Sequence, residues 1–281
     1  MIEIKRPDHP GVLNILRHHL DDQLADVDLA DIAHLMVGST PAEIMMAVRC
    51  ARRIARCADR PLLPEDLVQA LAPVEDIAPA ALKRICIHEA AHAVASLAVP
   101  SGTLKRCSIG ASGTAAGRTL IENEMSDLMT RDAVERRAVV ILAGRTAERV
   151  LIGNASAGAG GDDDSDLAQV TQLIATLHSS TGLGDTLAYV VSHRDALSAV
   201  RGDRELRSKV EQHLQMLQLR TETLVRRHRN AILAVAEWLR TRRHLSGAEI
   251  LRIIEATPVP SPETTEFNPY VVWWPWPQGG S

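Results

Sequence analysis

Aromatic side chains are nearly missing from this 281-residue chain, which has four Trp, two Tyr and one Phe. Most of them crowd into the last fifteen residues, from Phe267 to Trp276. The folded body therefore has to be packed with Leu, Ile, Val, Ala and Met. Lysine is also scarce, and the basic residues are mostly Arg. With a formal net charge of −4, nothing in the charge balance points to nucleic acid as a partner. No run of about 18 apolar residues occurs, so no membrane span of its own is expected. The opening Met1-Ile2-Glu3-Ile4-Lys5-Arg6-Pro7 does not read as a signal peptide. The cysteines, Cys50, Cys57, Cys86 and Cys107, show no C-x-x-C spacing, and the expectation is reduced thiols in the cytoplasm. What remains is an apolar fraction of 46% and a charged fraction of 23%, as in a soluble globular protein of one large or two ordinary domains.

Within that ordinary composition one stretch stands out. His88-Glu89-Ala90-Ala91-His92 is an H-E-x-x-H pentapeptide in an alanine-rich run that reads as a helix. With 11 His and 35 acidic residues in the chain, chance supplies about 0.05 matches of this kind. Residues four apart lie on one helical face, so both imidazoles can reach one metal ion, while Glu89 flanks its open position. The bland alternative is a surface or capping pair of histidines. Against it, Ile85, Ile87, Ala90, Ala91, Ala93, Val94, Leu97 and Val99 make the helix apolar nearly all round. Two histidines and a glutamate buried there are costly unless paired or metal-bound. Cys86, about 200° round the axis from His88, is on the wrong face for a ligand and reads as a small buried hydrophobe.

The surrounding pattern predicts a mainly α chain. Residues 1–73 read as a small helical unit: Pro10 opens a helix through Leu20, Asp28 caps one from Leu29 to Val37, and Thr40-Pro41-Ala42-Glu43 is a capping box that starts a third through about Ala58. Pro64-Glu65-Asp66 begins a short fourth, and 72–79 is a linker. From 79 to 256 the H-E-x-x-H helix, ended by Pro100-Ser101-Gly102, is followed by two short strands, Leu104–Ile109 and Gly113–Ile121, forming a hairpin or small sheet. Thr130 caps a long helix through Leu151. A small-residue loop, 153–161, leads through acidic residues into a helix from about Asp166 to Ser179. Arg204–Thr241 is a very long helical pattern, and Ser246 starts a last helix through Glu255. The tail, 257–281, is rich in Pro and Trp and should be irregular; its Trp-Pro run suits an interfacial anchor, a ligand for a partner, or a disordered end.

A catalytic zinc site usually has three protein ligands. An H-E-x-x-H-x-x-G-x-x-H arrangement is excluded, because Ala95 and Ala98 stand where Gly and His are required. Glu135 and Glu148 are candidates from a later helix, Glu148 also reading as an ordinary helix-surface acid or as one that supports a ligand. Asp162, Asp164 and Asp166 have the spacing that opens a calcium loop, but Leu167 and Leu173 stand where Gly and Glu are needed, so an EF-hand is excluded. These acids also suit a helix N-terminus. The small residues from Ala155 to Gly160 suggest a backbone folded closely over something.

The chain resembles the peptidase domain of the FtsH family of ATP-dependent zinc metalloproteases. The resemblance rests on Ile87–Val94, on Ala143-Gly144-Arg145-Thr146-Ala147-Glu148, on Ser156-Ala157-Gly158 through Asp166-Leu167-Ala168-Gln169-Val170-Thr171, and on Gly182-Leu183-Gly184-Asp185. It covers about 79–256. Asp26-Val27-Asp28-Leu29-Ala30, Thr40-Pro41-Ala42-Glu43-Ile44 and Arg60-Pro61-Leu62 resemble the helical lid that ends an AAA+ ATPase module. There is no G-x-x-x-x-G-K-[ST] segment and hence no phosphate cradle, and the family's ATPase core and membrane-spanning N-terminus are expected to be missing.

The resemblance implies that His88, His92 and Asp166 hold Zn²⁺ and that Glu89 is the general base in hydrolysis of peptide bonds. Ser165 replaces the family's Asn before the ligand aspartate, Ala91 replaces a glycine, and Asp162, Asp163 and Asp164 are extra carboxylates near the third ligand. It implies protein or peptide substrates, a homo-oligomeric ring or assembly with full-length AAA+ protease subunits, and a cytoplasmic location that a partner could bring to the inner face of a membrane. The contrasting expectation is a non-catalytic paralogue that acts only by assembling with such a partner.

Overall fold

A computed structural model describes residues 7–36, 39–71, 77–109, 117–122 and 130–257. The tail beyond Thr257 and most of the expected linker lie outside the described residues. The chain is mainly α, with one small sheet. Helices α1 (His9–Leu20), α2 (Ala30–Leu35), α3 (Pro41–Cys57) and α4 (Pro64–Leu71) come first. Asp8 caps α1 by accepting from the Gly11 amide, with Pro10 in the first turn. Thr40 and Glu43 form the expected reciprocal box at the start of α3, satisfying two amides that a helix end leaves unpaired. The four helices enclose a core of Val12, Leu16, Leu20, Leu29, Met36, Ile44, Val48 and Leu67, all essentially inaccessible. Each large aliphatic there contributes roughly 1.5–3 kcal/mol by leaving water. Asp66, also buried, is made affordable by a two-point ion pair with Arg60, 2.7 Å at each contact, and by the Leu63 amide.

The long α5 (Pro79–Ala98) carries the H-E-x-x-H pentapeptide and is buried on almost every side from Cys86 to Ser96. It packs against the sheet, against α6 (Arg131–Ala147), and, further along the chain, against α10 (Arg229–Arg242). Its run of alanines lets these neighbours approach closely, which branched residues would prevent. Strands β1 (Thr103–Ile109) and β2 (Gly117–Glu122) are antiparallel, with Cys107 opposite Thr119 and a register irregularity between Leu104 and Arg106. A third strand, β3 (His244–Ser246), pairs antiparallel with the other side of β1, so the order is β2-β1-β3 and β2 lies at an edge. At three residues, β3 is too short to carry an alternation pattern, and only its pairing reveals it.

Three other elements differ from expectation. The helix capped by Thr130 stops being α at Ala147, and Glu148–Ile152 continues as a wider π turn. The helix α7 (Asp166–Ser179) runs as expected, but the short α8 (Ala196–Gly202) follows it unannounced. The long pattern from Arg204 is two helices, α9 (Arg204–Arg227) and α10, joined at His228. Hydrogen bonds His228 N–H to Leu224 O and Ile232 N–H to His228 O continue across the joint. The break lets α9 bury Leu206, Val210 and Leu217 with α6 and α7 while α10 buries Ile232, Val235 and Leu239 against α5. Ser246 and Glu249 form a second capping box for α11 (Gly247–Glu255).

The buried hydrophobic residues are Leu, Ile, Val, Ala, Met and Cys, as the shortage of aromatics requires; Tyr189 and Trp238 are exposed. All four cysteines are free. Among the described residues no helix is long and apolar enough to cross a membrane.

Candidate metal centre

His88 and His92 stand one turn apart on α5, with ring centroids 4.8 Å apart and the rings edge to face. Asp166, the first residue of α7, reaches between them. Its Oδ2 is 3.0 Å from His88 Nε2 and 3.3 Å from His92 Nε2. The two imidazoles and the carboxylate offer ligand atoms that all lie within 4.8 Å of one another, and among the described residues this is the only such cluster of three. Ser165 accepts from the Ala168 amide as the N-cap of α7, so the serine there starts the helix that delivers Asp166.

The second nitrogen of each ring fixes which atom faces the cluster. His92 Nδ1 is 2.8 Å from the Val140 carbonyl of α6. A carbonyl only accepts, so Nδ1 carries a proton and the lone pair of the neutral ring is on Nε2. His88 Nδ1 is 2.8 Å from Glu148 Oε1. Glu148 Oε2 in turn accepts from Arg84 Nη1 at 2.8 Å and from the Ser156 amide at 2.7 Å, and Arg84 continues to Asn154. Of the two glutamates that the sequence offered as third ligands, Glu148 is thus the one that orients His88. Glu135 is engaged elsewhere, by Arg131 at 2.9 Å and Arg220 at 2.7 Å. Asp162, Asp163 and Asp164 are exposed, with Asp163 near Arg201. The small-residue loop folds over Glu148: Ser156 supplies an amide, and Ala159 is buried in the short turn that follows.

These contacts set the local charge. Burial opposes an imidazolium at His88, but the carboxylates of Asp166 and Glu148 outweigh it and push the His88 pKa up to about 10. Burial also opposes charge on His92, and Asp166 again prevails, raising it. Burial works against ionised Glu148 too, yet His88, Arg84 and Ser156 hold it down at about 2. Burial opposes ionised Asp166 as well, but His88 and His92 hold it well below the usual carboxylate range. The centre therefore attracts positive charge to the Nε2 side of both rings.

The space there suits a small ion. Gly144 of α6 faces both rings, and a Cβ at that position would lie 2.5 Å from His88 Nε2 and 2.5 Å from His92 Nε2. A glycine inside a helix costs about 1 kcal/mol relative to alanine, and here it keeps the space against both Nε2 atoms open. Two imidazole nitrogens and one carboxylate oxygen, with both outer ring nitrogens already committed, form a donor set that fits zinc.

Glu89, between the histidines, is 8% exposed and points toward the sheet. Thr119 Oγ1 of β2 donates to Glu89 Oε2 at 2.7 Å. A Cβ on Gly117 would lie 2.6 Å from Glu89 Cγ, so glycine makes room for the carboxylate. Sequence reasoning did not assign roles to Arg84, Gly117, Thr119, Val140 or Asn154. Only Gly144 left a usable trace, as an isolated glycine within a strong helical pattern.

Comparison with known proteins places the chain in a family. Residues 76–253 match the profile of peptidase family M41. The chain is 29% identical over 277 residues to the ATP-dependent zinc metalloprotease FtsH 2 of Symbiobacterium thermophilum, covering 91% of this chain and 46% of that protein. It is 26% identical over 276 residues to the ATP-dependent zinc metalloprotease FtsH of Streptobacillus moniliformis, covering 92% and 40%. It is 25% identical over 280 residues to that of Thermotoga maritima, covering 90% and 45%. The chain thus spans less than half the length of these curated relatives. With most of its length matched to one profile, the chain belongs to peptidase family M41.

Proposed function

We propose that this chain is a zinc-dependent endopeptidase in which His88, His92 and Asp166 hold Zn²⁺ and Glu89 is the general base. The observation that carries the reading is the convergence of both Nε2 atoms and Asp166 Oδ2 on one point, at the helix that also carries Glu89. When bound, zinc supplies Lewis acidity that polarises a peptide carbonyl and stabilises the charge developing on its oxygen. Glu89 takes a proton from the attacking water as the new C–O bond forms. It then passes that proton to the leaving amine as the C–N bond breaks, and ends as it began. Val140 O and Glu148 hold the imidazoles in the tautomer that presents Nε2, and Arg84 keeps Glu148 ionised.

The substrates in this reading are protein segments that arrive unfolded or are delivered by another component. The names of the relatives support zinc and proteolysis, and their ATP dependence belongs to proteins about twice this length. The 281 residues contain no G-x-x-x-x-G-K-[ST] motif, so nucleotide-driven delivery would come from chain outside them or from another subunit. We assign residues 1–73 to an AAA+ lid-like unit, 79–256 to the peptidase and 257–281 to a tail; the alignment with full-length relatives over about nine tenths of the chain supports the first of these.

The test is Glu89→Gln. Cleavage of an unstructured protein by the zinc-loaded chain should fall by at least about 100-fold, the usual range for a lost general base, with zinc content unchanged. An active, zinc-loaded Gln protein would refute the assignment. Stoichiometric zinc in the unmodified chain with no cleavage, with or without ATP, would favour a role in assembly with a full-length partner.

A further inference from the structure

Glu89 grows from α5 but is held by the sheet. Thr119 Oγ1 is 2.7 Å from Glu89 Oε2 and 3.1 Å from the Glu89 carbonyl oxygen. A threonine hydroxyl has one proton, and a carboxylate in its base form is the stronger acceptor, so that proton goes to Oε2. Cys107 of β1, directly opposite Thr119 in the sheet register, has its Sγ 3.3 Å from the same hydroxyl. Burial raises the Cys107 thiol well above its ordinary pKa, so it stays protonated and has an S–H to offer the Thr119 oxygen in return. Gly117, two residues before Thr119, shares its face of β2 and leaves space for Glu89 Cγ and Oε1. One strand face thus both admits the carboxylate and ties down one of its oxygens.

We propose that Thr119 is a positioning residue for Glu89: its hydroxyl holds Oε2 and fixes the orientation of the carboxylate that acts on the water, with the β1–β2 register setting the geometry of the base. This role rests on the assignment of Glu89 as general base. The hydroxyl is not itself in contact with reacting atoms, so its removal should change the efficiency of proton transfer rather than substrate binding.

The experiment compares Thr119→Val, which keeps shape and β-branching, with Thr119→Ser, which keeps the hydroxyl, in the full zinc-loaded chain. Thr119→Val should lower kcat about ten-fold, the equivalent of one hydrogen bond to a charged group, with KM within about two-fold of the unmodified chain. Thr119→Ser should restore most of kcat, and both proteins should retain full zinc and the same urea midpoint. A second readout needs no turnover. In protein labelled at threonine, the Thr119 hydroxyl proton should give a slowly exchanging NMR resonance that Glu89→Ala abolishes. Equal impairment of the Val and Ser proteins, or no protected hydroxyl, overturns the positioning role. Full kcat in Thr119→Val beside an inactive Glu89→Gln overturns that role alone, whereas an active Glu89→Gln overturns the base assignment and the positioning role with it.

Discussion

Two pairs of buried histidines sit in this molecule with nearly the same ring geometry and opposite chemistry. His88 and His92 have centroids 4.8 Å apart at an interplanar angle of 68°; His178 and His213 are 5.2 Å apart at 74°. In the first pair each ring ties its Nδ1 to an acceptor and turns its Nε2 to a shared carboxylate. In the second, the rings use each other: His178 Nε2 is 3.0 Å from His213 Nδ1, and only His213 also faces a carboxylate, its Nε2 3.3 Å from a Glu135 that Arg131 and Arg220 already hold. Burial and mutual repulsion lower the His178 pKa. Burial lowers His213 too, with Glu135 only partly opposing it. Burial alone therefore says little about a histidine. What separates the two pairs is that both Nε2 atoms of the first face one carboxylate free of arginine, which is what the proposed metal site requires.

The comparison can be broken most forcefully at Gly144. Gly144→Ala would place a Cβ against both Nε2 atoms, whose rings are pinned at Nδ1 and cannot retreat together. Zinc affinity should fall by more than the roughly 10–100-fold of an outer-shell change, measured by competition with a chelator. His213→Gln should leave zinc binding untouched, and a loss of zinc in that protein would mean that the two pairs are not independent.

A smaller effect is expected one shell out. Glu148→Gln keeps the shape of the side chain but removes the charge that His88 Nδ1 and Arg84 share. Zinc affinity and cleavage should drop together by about 10–100-fold, as titration calorimetry and a cleavage assay would report. Unchanged affinity would leave Glu148 as a packing residue only.

The smallest effect sharpens the electrostatic contrast in metal-free protein. His88 has its pKa raised to about 10 in the folded state, so the stability it contributes is fully present below the unfolded value near 6.5 and is lost as pH rises toward about 10. His178 and His213 have lowered folded values. They disfavour protonation on folding, so their penalty appears as pH falls below about 6.5. Urea unfolding should show that His88→Gln flattens the alkaline limb and His213→Gln the acidic limb. The reverse pattern would overturn the comparison.

Much of this fold could be read from local chemistry. Thr40-Pro41-Ala42-Glu43 and Ser246-Gly247-Ala248-Glu249 start helices where their hydrogen bonding says they must, and Ser165 begins α7. The pentapeptide on an apolar helix was likewise visible, because its spacing and its surroundings are both local. Strand β3 and the joint at His228 were not, since each exists only to satisfy a neighbour: β1 in one case, the separate faces of α5 and of α6 with α7 in the other.

The sequence by itself determined a mainly helical chain without aromatic core residues, and a helix bearing His88, Glu89 and His92 on spacing suited to one ion. These follow from periodicity, capping and composition, which act over a few residues. Only the tertiary structure decided the rest of the centre. It placed Asp166 rather than its three acidic neighbours between the rings, put Glu148 behind His88 and left Glu135 with its arginines. It also brought Thr119 and Gly117 against Glu89. Those choices depend on helices and strands meeting across many residues of chain, where distance and burial, not spacing along the sequence, set which carboxylate meets which ring.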